Sequence, residues 1–218
     1  MTAAPGTPRA VVFDMDGVLI DSGAHHRDAW RQLLADLGLT PAPEFWRLTI
    51  GRPAEEAVPL LLNRPVDAEE ASRLARHKRA HYARLTARGM LPIAGAPAFV
   101  AALVREGVPR AVATSASRRD MEEMLTEVGL RGHFEVVVTS EDVRRGKPDP
   151  EVYVRAAARL GLPPAGCVVF EDSLVGIRAA RGAGMRVIGV STAHTDEELR
   201  AAGAERAIAD FERLTWPV

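Results

Sequence analysis

Asp14 and Asp16 stand two residues apart, where the apolar run Val11-Val12-Phe13 ends and Gly17 follows. Strand side chains alternate faces, so both carboxylates project to one side as the chain leaves a strand. Gly17 allows the turn that a Cβ would resist. Carboxylates this close repel each other unless a cation or a shared proton lies between them. A strand running into a solvated acidic loop carries the same pair, so the pair alone does not decide the chemistry. Other polar groups follow apolar runs in the same way: Thr114-Ser115 after Ala111-Val112-Ala113, Lys147 in the loop after Val136–Thr139, and Glu171-Asp172 after Val168-Val169-Phe170. Together they set four carboxylates, Asp14, Asp16, Glu171 and Asp172, against one lysine. A hard cation balances such a set, and oxygen-only ligands suit Mg²⁺. Asp172-Ser173 would equally serve as a helix N-cap.

Positioning those groups requires a particular order of elements. After the first strand, Trp30, Leu33, Leu34 and Leu37 recur at helical spacing, and Gly38 closes the helix. Pro41 and Pro43 break the pattern. A second helix is expected from about Pro53 to Leu62, kinked or interrupted at Pro59. A third, from about Ala68 to Arg88, carries Ala71, Leu74, Tyr82 and Leu85 on one stripe. No strand is readable between Asp21 and Arg88, so this stretch reads as an all-helical unit.

From Ile93 onward helices and continuous apolar strands alternate. Helices are expected at Pro97–Glu106, Arg119–Val128, Glu151–Leu160 and Leu174–Ala183. The strands between them are Arg110–Thr114, Val136–Thr139, Cys167–Phe170 and Arg186–Val190. A last helix near Asp196–Ala202 and a short strand at Ala207–Ile208 complete the chain. That rhythm marks an α/β fold, a Rossmann-like parallel sheet with helices on both faces. The first strand must join the sheet, so the helical stretch is an insertion: a core of residues 1–20 and 91–218, and an α-helical cap domain of residues 21–90. The connections near Gly17–Ser22 and Gly89–Pro92 would serve as its hinge. Ligands of open α/β sheets bind beyond the carboxyl ends of the strands, where Asp14, Thr114 and Asp172 fall.

The sequence resembles the haloacid dehalogenase superfamily over nearly its whole length. Asp14-Met15-Asp16-Gly17-Val18-Leu19 matches the first motif, Thr114-Ser115 the second, Gly146-Lys147-Pro148-Asp149-Pro150 the third and Glu171-Asp172 the fourth. Each motif alone is weak, whereas the four in this order at the ends of apolar runs are specific. Phe170-Glu171-Asp172-Ser173-Leu174-Val175-Gly176-Ile177 is similar to the β-phosphoglucomutase branch and its related small-molecule phosphatases.

The resemblance implies a division of labour. Asp14 attacks phosphorus and forms an aspartyl-phosphate. Asp16 protonates the leaving oxygen, then deprotonates the incoming water or alcohol, and its backbone carbonyl ligates the metal. Thr114 donates to the phosphoryl oxygens, and the run Thr-Ser-Ala-Ser leaves open whether Ser115 holds that position instead. Lys147 neutralises the attacking carboxylate and the phosphoryl group. Asp172 ligates the metal, with Glu171 helping directly or through water, and Lys147–Pro148 is usually cis in this branch. An aspartate at position 16 sets the chain apart from the dehalogenases and the phosphonate-cleaving enzymes, which lack it there.

Substrate choice is expected in the cap. His26 lies one turn before Trp30 and either extends that helix's apolar stripe or faces the site. Lys78 shares a stripe with Leu74, Tyr82 and Leu85, and either snorkels to water or reads a ligand. The segments His26-Arg27-Asp28-Ala29-Trp30 and His77-Lys78-Arg79-Ala80-His81-Tyr82 align with the cap histidine and lysine of β-phosphoglucomutase, which face its active site. Arg73, Arg76, Arg79, Arg84 and Arg88 form a basic side that is either solvated or attractive to a phosphorylated ligand. At Ile50-Gly51-Arg52-Pro53 the candidate substrate residue Arg52 falls early and precedes a proline, a departure from the mutase wording.

Composition narrows the partners. With 218 residues, 47% hydrophobic and 26% charged, the chain reads as an ordinary globule. A net charge of −1 gives no global attraction to nucleic acid or anionic membrane. The single Cys167 excludes an internal disulfide, fits a reducing cytoplasm and, at the start of a strand, reads as a buried structural thiol. Residues 1–9 contain no apolar segment marking export, and no run approaches a membrane span. The expectation is a cytoplasmic monomer: a Mg²⁺-dependent phosphatase acting on a small phosphorylated metabolite, in first place a sugar phosphate. A hexose-phosphate mutase is the alternative. A phospho-acceptor signalling receiver also carries an Asp, a Thr or Ser and a Lys on a parallel sheet, but it needs no helical insertion and runs to little over half this length.

Overall fold

The computed structural model describes residues 8–40, 42 and 45–218, so residues 1–7, Pro41, Pro43 and Glu44 lie outside it. Six strands form one parallel sheet: β1 (Ala10–Phe13), β2 (Arg110–Ala113), β3 (Val136–Val138), β4 (Cys167–Glu171), β5 (Arg186–Val190) and β6 (Arg206–Ile208). Their order is β3-β2-β1-β4-β5-β6. In register, Val12 faces Ala111 on one side and Val169 on the other. The chain order reverses beside β1, between β2 and β4, and this is where open α/β sheets place a ligand crevice.

Strand periodicity divides the core. Val11 and Phe13 enter one apolar cluster, while Ala10 and Val12 enter another across the sheet. On the first face pack α4 (Ala96–Arg105) and α5 (Arg118–Glu127), through Phe99, Leu103, Met121 and Leu125. On the second pack α6 (Glu151–Arg159), α7 (Leu174–Gly182) and α8 (Asp196–Ala202), through Tyr153, Ala156, Ile177 and Leu199. Phe13 stacks on Phe170 with ring centroids 5.4 Å apart, holding β1 and β4 together just beneath their carboxyl ends. The expected α/β sheet with helices on both faces is present, and each boundary falls within a residue of its sequence position.

Between β1 and α4 lie α1 (Gly23–Asp36), α2 (Ala54–Leu62) and α3 (Ala68–Thr86). No strand occurs there among the described residues. Trp30, Leu33, Leu34, Ala57, Val58 and Leu74 form a separate apolar cluster, so the block has its own small core. Leu37 does not join it: it is the C-cap of α1 and is exposed, because Gly38 turns the chain with φ +69°. Pro59 does not interrupt α2, which continues to Leu62. One proline removes only one ladder bond, and Asn63 then closes the helix by donating to the Pro59 carbonyl. The two connections to the sheet run side by side, with Asp21 N–H donating to Leu91 O at 2.9 Å and Ile93 N–H to Leu19 O at 3.0 Å. No described helix is long and apolar enough to cross a membrane.

Candidate active site

A cavity of about 410 Å³ opens between the carboxyl ends of β1, β2 and β4 and the helical block. Asp14, Asp16, Thr114, Ser115, Lys147 and Asp172 line it from the sheet, and His26, Arg52 and Lys78 from the block. Glu171 lies behind this wall, fully buried. The sequence-derived residues therefore converge, but they divide into two hydrogen-bonded groups.

The first group surrounds Lys147, which is buried in the loop before α6 and is followed by a cis Lys147–Pro148 peptide. Its Nζ donates to Asp14 Oδ1 and Glu171 Oε1, both at 2.7 Å. Glu171 also accepts from Tyr153 OH at 3.0 Å, and from Ser173 N–H and Oγ–H at 2.7 and 2.9 Å. Four donors thus occupy its two oxygens, and its carboxylate fits the space only because Gly176 lacks a Cβ. Ser173 in turn N-caps α7 by accepting from Gly176 N–H, so the capping reading of this segment also holds. Asp172 is held from behind: Thr192 Oγ1–H donates to Gly17 O at 2.7 Å and lies 3.4 Å from Asp172 Oδ2, while His194 Nδ1 meets the Asp172 backbone carbonyl at 3.1 Å. Gly17, with φ +71°, passes so close to Asp172 that a Cβ would collide with the carboxylate.

Ligand oxygens of Asp14, Glu171 and Asp172 lie within 4.8 Å of one another. Burial, only partly opposed by Lys147 and reinforced by Glu171, raises Asp14 to about 7. Burial, then Glu171 and Asp14, raises Asp172 well above the usual carboxylate range. Lys147 is raised in turn, since Asp14 and Glu171 outweigh its burial. One ammonium leaves the trio under-neutralised; with both Glu171 oxygens taken by donors, against the expectation that it helps ligate a metal, Asp14 and Asp172 are the oxygen donors that fit a hard divalent cation.

The second group corrects the expectation of four clustered carboxylates. The Asp16 side chain stands apart from that trio and turns toward the helical block, where Ser22 Oγ–H donates to Oδ1 at 2.6 Å and His26 Nε2 approaches the same oxygen at 3.0 Å. These partners hold Asp16 below its ordinary value against the effect of burial. His26 Nδ1 lies 2.6 Å from Lys78 Nζ. An ammonium can only donate, so Nδ1 is the acceptor and the imidazole hydrogen sits on Nε2, aimed at Asp16. The His26 ring stacks on Tyr82 at 4.2 Å, and Lys78 Nζ lies 4.8 Å from the Tyr82 ring and 5.5 Å from that of Trp30. Lys78 is 6% exposed, so it does not snorkel to water. Burial lowers it to about 8, partly offset by Asp16.

Thr114 is buried at the end of β2, where its hydroxyl accepts from Ala116 N–H at 3.1 Å and keeps its own hydrogen to donate. Ser115 Oγ–H instead donates to Gly51 O of the helical block at 3.2 Å. Arg52 borders the cavity, half-buried. On the basic side of α3, Arg79 pairs with Glu55 and Arg73 with Glu70, both with exposed side chains. Burial pushes the Cys167 thiol up to about 11, which suits a structural role. Sequence reasoning missed Ser22, Tyr153 and Thr192. Thr192 follows the end of β5 and was findable by the strand-end rule, whereas Tyr153 looks like any apolar helix position.

The family described as haloacid dehalogenase-like hydrolase matches residues 8–184. A validoxylamine A 7'-phosphate phosphatase from Streptomyces hygroscopicus subsp. limoneus is 34% identical over 217 residues, spanning 96% of this chain and 97% of its own. A beta-phosphoglucomutase from Bacillus subtilis is 28% identical over 84% of this chain and 83% of its own. A crystal structure of CbbY from Rhodobacter sphaeroides in complex with xylulose-(1,5)bisphosphate superposes with TM-score 0.82 at 30% identity, covering 95% of this chain and 96% of that one.

Proposed function

The chain belongs to the haloacid dehalogenase-like hydrolases, as a phosphoric monoester hydrolase, and we propose that it is a Mg²⁺-dependent phosphatase of a sugar-sized phosphorylated metabolite. The observation that carries this reading is Asp14 at the floor of the cavity, with Oδ1 fixed by Lys147 and an independently held Asp16 beside it.

Asp14 Oδ2 attacks phosphorus as the P–O ester bond breaks, and Asp16, after taking up a proton from solvent as the anionic substrate enters, delivers it to the departing oxygen. Water, losing a proton to Asp16, then attacks the aspartyl-phosphate, which releases phosphate and restores Asp14. Both Ser22 and His26 engage Asp16 Oδ1, leaving Oδ2 to carry that proton. Thr114 and Lys147 grip the phosphoryl oxygens, and Ser115 steadies the helical block through Gly51. Asp14, Asp172 and the Asp16 carbonyl would hold Mg²⁺, whose charge offsets that on the phosphoryl oxygens. Glu171, saturated by four donors, acts by orienting Lys147.

Residues 21–90 act as a cap over the core of residues 1–20 and 91–218. His26, Lys78 and Arg52 meet the part of the substrate that stays behind, with Trp30, Trp46 and Tyr82 offering flat walls to a sugar ring. Turnover of a panel of phosphorylated metabolites, followed by phosphorus NMR with and without chelator, tests the reading. One free phosphate per substrate, lost on chelation and restored by Mg²⁺, is expected. Transfer between C1 and C6 of a hexose, dependent on a sugar bisphosphate and with little free phosphate, would assign a mutase. Full turnover after exhaustive chelation would remove Mg²⁺ from the scheme.

A further inference from the structure

On the outer side of the helical block, away from the catalytic carboxylates, His77 and His81 lie one turn apart on α3 and face Asp36, the last residue of α1. We propose that Asp36, His77 and His81 form a second cation site, for a borderline divalent transition metal such as Zn²⁺, that clamps α1 to α3.

Three observations converge. Residues at i and i+4 share a helix face, and the two imidazoles stack with centroids 4.9 Å apart and planes 21° from parallel. Both Nε2 atoms reach the same oxygen, Asp36 Oδ2, at 2.9 Å from His77 and 2.7 Å from His81. The three ligand atoms lie within 4.8 Å of one another. A tetrahedral zinc with bonds near 2.0 Å needs edges of about 3.3 Å, which small side-chain rotations supply.

Burial suits a surface clamp: His81 is 6% exposed and fixed, while His77 and Asp36 are 41% and 45% exposed and leave a side open for entry and for a water ligand. Two imidazoles and one carboxylate select Zn²⁺, Ni²⁺ or Cu²⁺ over Mg²⁺, unlike the all-oxygen donors at the ends of the strands. Arg84 acts as a brake. Its guanidinium donates to His81 Nδ1 at 2.6 Å, which keeps the ring hydrogen on Nε2, pointing at Asp36. A metal on Nε2 sends that hydrogen to Nδ1, so Arg84 must swing out into solvent.

The test is Zn²⁺ binding by competition with a chromophoric chelator under saturating Mg²⁺, with the thermal midpoint read in parallel. Wild type should bind one more Zn²⁺ per chain than His77→Ala/His81→Ala, and only wild type should gain midpoint on adding Zn²⁺. Arg84→Gln should tighten binding by roughly three- to tenfold through loss of a neighbouring positive charge. The double variant should keep wild-type circular dichroism and p-nitrophenyl phosphate hydrolysis in Mg²⁺; if it does not fold, the exposed His77→Ala alone makes the comparison. Equal Zn²⁺ stoichiometry and equal midpoint shifts in wild type and variant would overturn the site, leaving the histidines as hydrogen-bond partners of Asp36. Weaker binding in Arg84→Gln would overturn the brake.

Discussion

Lysine occurs at only two positions in the chain, 78 and 147, and tyrosine at only two, 82 and 153. The fold lays each lysine against one of the tyrosines: Lys78 Nζ is 4.8 Å from the Tyr82 ring and Lys147 Nζ 5.1 Å from that of Tyr153. Both ammonium groups are buried, one in the helical block and one beneath the ends of the strands. Their electrostatics are opposite. Lys147 touches two carboxylates and is raised, so it is a permanent charge. Lys78 touches a neutral imidazole and is lowered to about 8, so it is a charge close to being lost. The floor of the cavity is thus electrostatically locked, while its wall in the helical block is held near a titration point.

The largest way to break this comparison lies at the floor. Asp14→Asn should reduce turnover by at least about 10⁴-fold, since the amide cannot attack phosphorus. Lys147 retains Glu171, and Asp172 loses a repelling neighbour, so the thermal midpoint should match or exceed wild type. Steady-state phosphate release and a melting curve check both halves. Wild-type-like release, with contaminating phosphatase excluded, would falsify the nucleophile assignment.

Lys147→Ala should affect both properties. It removes the proposed phosphate grip, and it strands Asp14 and Glu171 as buried carboxylates without their cation. Removing one partner of a buried ion pair costs about 3–5 kcal/mol, so a clear fall in urea midpoint is expected alongside a loss of about 10³-fold or more in kcat/KM. A variant that is inactive yet as stable as wild type would mean that the charges at the floor are balanced by something other than Lys147.

Most of this floor was legible in the sequence. Each of Asp14, Thr114 and Asp172 follows an apolar strand, and strand ends are where a parallel sheet delivers side chains to a common edge. Distances between chain segments were not legible. Asp16 shares the spacing that suggested a four-carboxylate cluster, yet Ser22 and His26 draw its side chain toward the block, and no local pattern encodes that pairing. Lys78 was ambiguous for the same reason. Its stripe looked equally suited to snorkelling, and only packing against α1 shows that its ammonium ends on His26, 52 residues away in sequence. The interruption expected at Pro59 does not occur, because a helix of nine residues tolerates one missing bond when its ends are otherwise closed.

Lys78→Ala sharpens the comparison at the wall. It should lower kcat/KM for a phosphorylated metabolite by roughly ten- to a hundredfold, the worth of one or two charge-assisted hydrogen bonds at about 1.5–3 kcal/mol each. Hydrolysis of p-nitrophenyl phosphate should change much less, since it offers little beyond the transferred group for the block to hold. Stability should move little, within about 1 kcal/mol, because the lost charge is one that burial already disfavours. A uniform loss on both kinds of substrate would place Lys78 in the transfer step rather than in substrate reading.

The smallest and most diagnostic effect is in pH. Burial brings Lys78 down to about 8 from 10.5, whereas Lys147 is raised, so only the former loses its proton in the mildly alkaline range. With just two lysines in the chain, isotope labelling of lysine gives two side-chain signals, and one of them should titrate near pH 8. Loss of that proton removes the charge and frees the His26 tautomer, so kcat/KM for a phosphorylated metabolite should bend downward near pH 8. The bend should vanish in Lys78→Ala and move beyond pH 10 in Lys78→Arg, whose guanidinium stays charged. Stability should change in the other direction. The folded state sheds the proton near 8 and the unfolded state near 10.5, so the unfolded chain binds more protons between those values and folding gains as pH rises. At 1.36 kcal/mol per unit the gain is at most about 3 kcal/mol, and Lys78→Ala should lack it. If neither lysine signal titrates below pH 10, the wall is as firmly charged as the floor, and the contrast between the two sites reduces to one of shape.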